Sequence, residues 1–169
     1  MRIKGFLDKG KHMPDFNTLS NLIMEELLAE LQGFDLLIAH NVASLHKNLP
    51  LTAALNKAYK TGGFPRLILW HHDLAWTTQR YRAEMHVGYP WDLLRARWPG
   101  AVHVVISETR RQELGDLVGV AREAIRVIPN GVDLNSFFKL EPQTIQLMER
   151  LKLIEADPLF LLPVRLTPR

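Results

Sequence analysis

The sequence has no cysteine in its 169 residues. A disulfide framework, a thiolate metal site and a cysteine nucleophile are therefore excluded, and the composition fits a reducing compartment, with the cytoplasm as the expected location. Long hydrophobic runs are also missing. The longest, residues 34–39 and 159–164, have strand length and fall far short of the ~20 residues that cross a bilayer. The N-terminus turns polar at Asp8 and Lys9 before it can form the apolar stretch of a secretory signal. Charge of one sign is in small excess, 21 Lys and Arg against 18 Asp and Glu, for a net charge of +3. That bias suits anionic ligands or a membrane surface, but there is no polybasic tail or recognisable module for binding nucleic acid. No Gly-x-Gly-x-x-Gly follows a strand pattern and no Gly-x4-Gly-Lys-Ser/Thr occurs, so neither a dinucleotide fingerprint nor a P-loop is present. Ligand spacings such as His-Glu-x-x-His are absent as well, and no metal ligand and no cofactor is assigned.

What is present is a chain of one-domain length, 47% hydrophobic, able to bury a core. Leu19, Leu22, Ile23, Leu27 and Leu31 recur at three- and four-residue spacing and predict an amphipathic helix over residues 17–32, stopped by Gly33. An apolar run at 34–39 follows, then a helical pattern over 50–60 closed by Gly62. The alternation continues with strands expected at 67–70, 102–106, 125–128 and 159–164, and helices at 91–98, 107–118 and 142–152. Short apolar strands alternating with helices imply an α/β fold: a Rossmann-like parallel sheet with helices on both faces, because parallel connections need crossover helices.

In such a sheet, ligands bind beyond the carboxyl ends of the strands. The residues there are His40 and Asn41, then His71, His72 and Asp73, then Ser107 and Glu108, then Pro129, Asn130 and Gly131, and finally Arg165. A neutral imidazole in the His71–His72–Asp73 group could hydrogen-bond a sugar hydroxyl or stabilise developing charge. His71 and His72 point to opposite sides of an extended chain, so one faces outward and the other into packing. All four tryptophans lie between residues 64 and 98. Trp91 and Trp98 read as core, which leaves Trp76, Tyr81 and Tyr89 as aromatic candidates in loops.

Four strings carry a resemblance: LILWHHDLAW, HVVISETRRQEL, VIPNGVDLNSFF and LFLLPVRLTPR, in that order from residue 67 to residue 169. Together they resemble the middle of a family 4 glycosyltransferase, the retaining group with a GT-B fold of two Rossmann-like lobes. The resemblance implies an acceptor-side lobe over residues 1–135, a connection over 136–156 and the first strand of a donor lobe over 157–169. It casts His72 as the catalytic histidine near the transferred sugar, and His40, Asn41, His71, Asp73, Ser107 and Glu108 as acceptor- or substrate-binding. Asn130, Gly131 and Asp133 match the junction, and Arg165 the arginine that binds the donor diphosphate. Pro163 and Val164 depart from the family's usual pair before that arginine, and its partner lysine is not found. Glu141 and Glu149 have the spacing of the donor lobe's paired glutamates but precede the final strand, and the pair reads as coincidence.

The implied activity is transfer of a hexosyl group from a nucleotide-sugar to a hydroxyl of a carbohydrate or lipid-linked acceptor. A chain lacking most of the donor lobe is expected to be inactive alone, and to self-associate through its unfinished edge. The other reading is a non-catalytic module, derived from the same lobe, that binds carbohydrate or a protein partner. A peripheral membrane position fits a lipid-linked acceptor, and nucleic acid is not expected as a partner.

Overall fold

The helical spacing after residue 16 forms α2 (Phe16–Glu30), which ends where Gly33 takes a φ of 82°. Ahead of it lies a short helix that apolar spacing does not reveal, α1 (Arg2–Leu7). Then come β1 (Leu36–His40), α3 (Leu49–Lys60), β2 (Arg66–His71), β3 (Val102–Val105), α4 (Glu108–Val118), β4 (Ile125–Val127) and α5 (Pro142–Arg150). This is a computed structural model, and it describes residues 2–11, 13–62, 64–133, 141–158 and 160. The strand expected at 159–164 lies outside the described residues except for Phe160. The chain divides into two units, Met1–Asn130 and Gly131–Arg169. In the second, α5 starts on Glu141 and Pro142 and buries none of its side chains.

All four strands of the first unit are parallel, in the spatial order β1-β2-β3-β4. Leu36 pairs with Arg66, Ile68 with Val102 and His103 with Ile125. Such a stepwise order, with right-handed crossovers, sends successive connections to the same side of the sheet. That side carries Ala39, Leu67 and Leu69, packed with Leu55 of α3 and with Trp98. It also carries Val105 and Ile125, packed with Leu114 of α4. On the opposite face Leu36, Ile38 and Val102 are 41%, 44% and 45% exposed. A third cluster joins Leu7, Phe16, Leu49, Ala53, Trp91 and Leu94 beside the sheet. The α/β class and the parallel Rossmann-like sheet are those the alternation of apolar runs predicted, but the helices expected on both faces leave the face of Leu36, Ile38 and Val102 exposed, because a stepwise strand order keeps its crossovers on one side. Between β2 and β3 the expected helix at 91–98 is a 3-10 turn, Trp91–Arg95. No helix among the described residues is long and apolar enough to cross a membrane.

Two buried histidines on the helix-covered face set the sheet's response to acid. His71, 2% exposed, and His103, 4% exposed, stack with ring centroids 5.3 Å apart. His71 Nε2 and His103 Nδ1 lie 3.0 Å apart, so one nitrogen must carry the proton and the other accept it. The outer nitrogens, His71 Nδ1 and His103 Nε2, are buried without partners. Burial pushes His71 down to about 3, helped by His103 and His72, and burial also lowers His103. The unfolded chain takes up protons near the ordinary value of 6.5, where the folded chain does not. Stability is therefore fully present above that value and lost as the pH falls below it. Urea midpoints should drop between pH 7 and pH 5, with a slope of up to about 1.4 kcal/mol per pH unit from His71. His71→Gln should flatten that slope, and an unchanged slope would remove the pair from this role.

Candidate functional site

At the carboxyl edge of the sheet, the chain leaves β1 through Asn41, whose φ of 58° is left-handed, a conformation that asparagine tolerates better than most residues. Its own N–H donates to Trp70 O at 2.8 Å, which extends the β1–β2 ladder by one step. Its Oδ1 accepts from the backbone N–H of His72 at 2.8 Å and, at 3.4 Å, from that of Asp73. One carboxamide thus fixes where β2 ends and how the following loop starts. His40 and His72 meet across this junction, with Nδ1 and Nε2 3.3 Å apart, and His40 stacks on Trp70 at 5.2 Å. His40 is exposed and His72 half-buried, whereas His71 turns into the core. The opposite directions of the two adjacent histidines are those expected of an extended chain.

Asp73 is committed to charge partners. Arg80 reaches its Oδ2 at 2.6 Å and Arg110 its Oδ1 at 3.3 Å, while Arg110 also holds Glu113 at 2.5 Å. This network ties the loop after β2 to the first turn of α4. Ser107 caps that helix, its Oγ accepting from Arg110 N at 3.2 Å. Glu108 is exposed and pairs with Arg111 at 2.5 Å. Four of the expected positions, His40, Asn41, His72 and Asp73, are therefore gathered at one place, and Ser107 adjoins them through Arg110. Asn130 is exposed beyond β4; Gly131 and Asp133 are exposed in the second unit. Arg165 lies outside the described residues.

A cavity of about 210 Å³ opens beside His40 and Asn41, lined also by Val42, Leu45, Lys47 and Asn48. Sequence reasoning missed Lys47 and Asn48, although both fall in the loop directly after a strand end. Asn48 caps α3 by accepting from Leu51 N at 3.3 Å. The Lys47 ammonium lies 3.0 Å from His46 Nε2, 3.5 Å from Glu84 Oε2 and 4.7 Å from the centre of the Tyr81 ring. His46, 3% exposed, also contacts Glu84 directly, and burial lowers its pKa against the opposing pull of that carboxylate. Asp8, His46 and Glu84 bring one ligand atom each within 4.8 Å of one another, the donor set of a cation site that the sequence did not suggest. Lys47 already places a positive charge against two of the three. Of the loop aromatics, Trp76 is tied into packing, with Nε1–H donating to Trp91 O at 3.2 Å and Arg95 over its ring at 4.3 Å. Tyr81 packs against the same cluster as Trp76, and Tyr89 is 41% exposed.

An open parallel sheet with polar side chains gathered beyond its carboxyl ends, beside a cavity, is a Rossmann-like lobe, a fold in which ligands bind at that edge. The chain belongs to glycosyltransferase family 4, whose family model, Glycosyltransferase Family 4, matches residues 4–136. That match starts well ahead of the strings that carried the resemblance and stops before the last of them. No match was found among curated proteins or solved structures.

Asn41→Ala should cost stability twice, through the left-handed backbone and through the two N–H groups it leaves unpaired, together about 2–3 kcal/mol. Asn41→Gly keeps the backbone freedom and loses only the acceptor, so it should cost about 1 kcal/mol less than the alanine variant. Equal losses, read from chemical denaturation, would show that the turn carries no strain.

Proposed function

We propose that this chain is the acceptor-side lobe of a retaining glycosyltransferase, one that moves a hexosyl group from a nucleotide-sugar to a hydroxyl of a carbohydrate or lipid-linked acceptor. The observation that carries the reading is the arrangement at the carboxyl edge. His72 is half-buried, its backbone is pinned by Asn41, and His40 stands 3.3 Å from its ring, beside a cavity of about 210 Å³. A preorganised imidazole there can donate to, or accept from, a sugar hydroxyl and meet the charge that develops as the glycosidic bond to the nucleotide breaks. Its orientation is set before substrate arrives, which lowers the cost of reaching the transition state. Lys47 and Asn48 line this cavity, and in this reading Asn130, Gly131 and Asp133 belong to the junction and Arg165 binds the donor diphosphate.

In this reading residues 157–169 hold the first strand of the donor lobe, and the protein works in the cytoplasm or at the membrane surface when its acceptor is lipid-linked. The purified 169-residue chain should neither hydrolyse nor transfer sugar from common nucleotide-sugars; measurable turnover would overturn the division of labour between lobes. In the complete enzyme His72→Ala should lower kcat by about a hundredfold, the scale for one transition-state hydrogen bond, with folding intact. His71→Ala should act on stability instead. If His72→Ala leaves turnover unchanged, the edge does not have the proposed role.

The exposed Leu36, Ile38 and Val102 favour a second reading, a non-catalytic module that uses this face to bind a protein or a second copy. Ile38→Lys separates the two in light scattering, because it abolishes concentration-dependent association that runs through this face and leaves association through the unfinished edge unchanged.

A further inference from the structure

The opposite edge of the sheet holds a second cavity, of about 390 Å³, within the range of small-molecule sites. It is placed by the end of α3 at Lys60, just before β2 begins at Arg66, and by Trp98, just before β3 begins at Val102. That is the amino edge, roughly 20 Å along β2 from His72 at about 3.3 Å per residue. Asn56, Tyr59, Lys60, Phe64 and Trp98 line it. Tyr59 meets Phe64 edge-on at 6.0 Å and lies tilted to Trp98 at 6.1 Å. The Tyr59 hydroxyl is already used, donating to Pro99 O at 2.9 Å, so these three rings present an apolar wall.

Three polar groups in this wall have no partner among the described residues: Trp98 Nε1, which is fully buried, and the side chains of Asn56 and Lys60. Asn56 is 5% exposed, and its carboxamide, which makes no hydrogen bond among the described residues, keeps contact with solvent at the cavity. Lys60 is exposed and makes no ion pair among the described residues. An amide without a protein partner that opens on a cavity with aromatic walls, with an unpaired cation among the lining residues, is an arrangement that receives a ligand, whose polar group would replace solvent at the amide.

We propose that this cavity is a second binding site, distinct from the carboxyl edge, for a small aromatic anion: one flat ring, one hydroxyl or carbonyl group facing Asn56 and one carboxylate or phosphate facing Lys60. The apolar wall selects the ring. A flat ring covers Tyr59, Phe64 and Trp98 with apolar surface throughout, whereas a pyranose offers them only its C–H faces and needs partners for a rim of hydroxyls that Asn56 and Lys60 cannot all supply, so the ring is preferred over a sugar at this site. The carboxamide selects the neutral polar group, offering both a donor and an acceptor. The ammonium selects the charge.

The test is a titration of the 169-residue protein with 4-hydroxyphenylacetate, following the indole N–H resonances of the four tryptophans by NMR. The Trp98 resonance should shift saturably, while that of Trp70 at the other edge stays in place. Phenylacetate, which lacks the hydroxyl, and 2-(4-hydroxyphenyl)ethanol, which lacks the charge, should each bind about fivefold or more weakly, and glucose should not move Trp98. Lys60→Gln, an exposed change that leaves the core untouched, should bring the acid down to the affinity of the alcohol. The proposal fails if Trp98 shows no saturable shift up to solubility. It fails equally if the three ring compounds bind alike, if glucose matches them, or if Lys60→Gln changes nothing.

Discussion

Asn41 leaves β1 with a positive φ, and from there its carboxamide oxygen takes the N–H of His72 at 2.8 Å while its own N–H reaches Trp70 O at the same distance. The carboxyl edge of the sheet is arranged around these bonds. They continue the parallel ladder past the last strand residues, so the turn out of β1 and the turn out of β2 are one rigid piece. Because the bonds hold backbone and not side chain, the rings of His40 and His72 remain available at the surface. A left-handed asparagine suits both tasks: its backbone tolerates the turn, and its short side chain reaches back across it.

The charged groups around this junction act in a second tier. Asp73 is shared between Arg80 and Arg110, and Arg110 is shared between Asp73 and Glu113. None of these side chains is fully exposed except Arg80, so the chain of ion pairs is screened less than an isolated surface pair. It couples the loop after β2 to α4, whose first turn is also fixed by Ser107. Asp73 and Ser107 are strand-end polar residues of the kind that meets a ligand, and in the folded chain both serve to hold that edge in shape. A strand-end position can therefore shape a site without touching what binds there.

The architecture is legible in the sequence because it follows from short-range rules. Apolar runs of strand length alternating with amphipathic stretches specify a parallel α/β sheet whatever the partner residues are. The elements that escape notice lack that periodicity: α1 is six residues long, and the 3-10 turns at His46–Asn48 and Gln79–Glu84 are too short to display any. At the site, His40, Asn41, His72 and Asp73 stand out because strand ends are local in sequence. Lys47, Asp8 and Glu84 do not, because what brings them together is the packing of distant segments around His46. The burial of His71 beside His103 is legible only in part: alternation along the strand says that one of two neighbouring histidines points inward, and only the register of β2 on β3 supplies its partner.

The two edges of the sheet handle buried polarity in opposite ways, and that contrast separates structural groups from receptive ones. At the carboxyl edge the Asn41 carboxamide oxygen is taken up by the protein's own N–H groups, so replacing it exposes unmet donors in the fold. At the amino edge Asn56 is nearly as buried as an aliphatic core residue, and no described residue satisfies it. Its amide faces solvent in the cavity in place of a protein partner, so a ligand that bonds to it there would stabilise the folded chain by mass action. The same residue type thus marks a clamp at one end of the sheet and an open receptor at the other, and the difference lies wholly in whether a partner is already present.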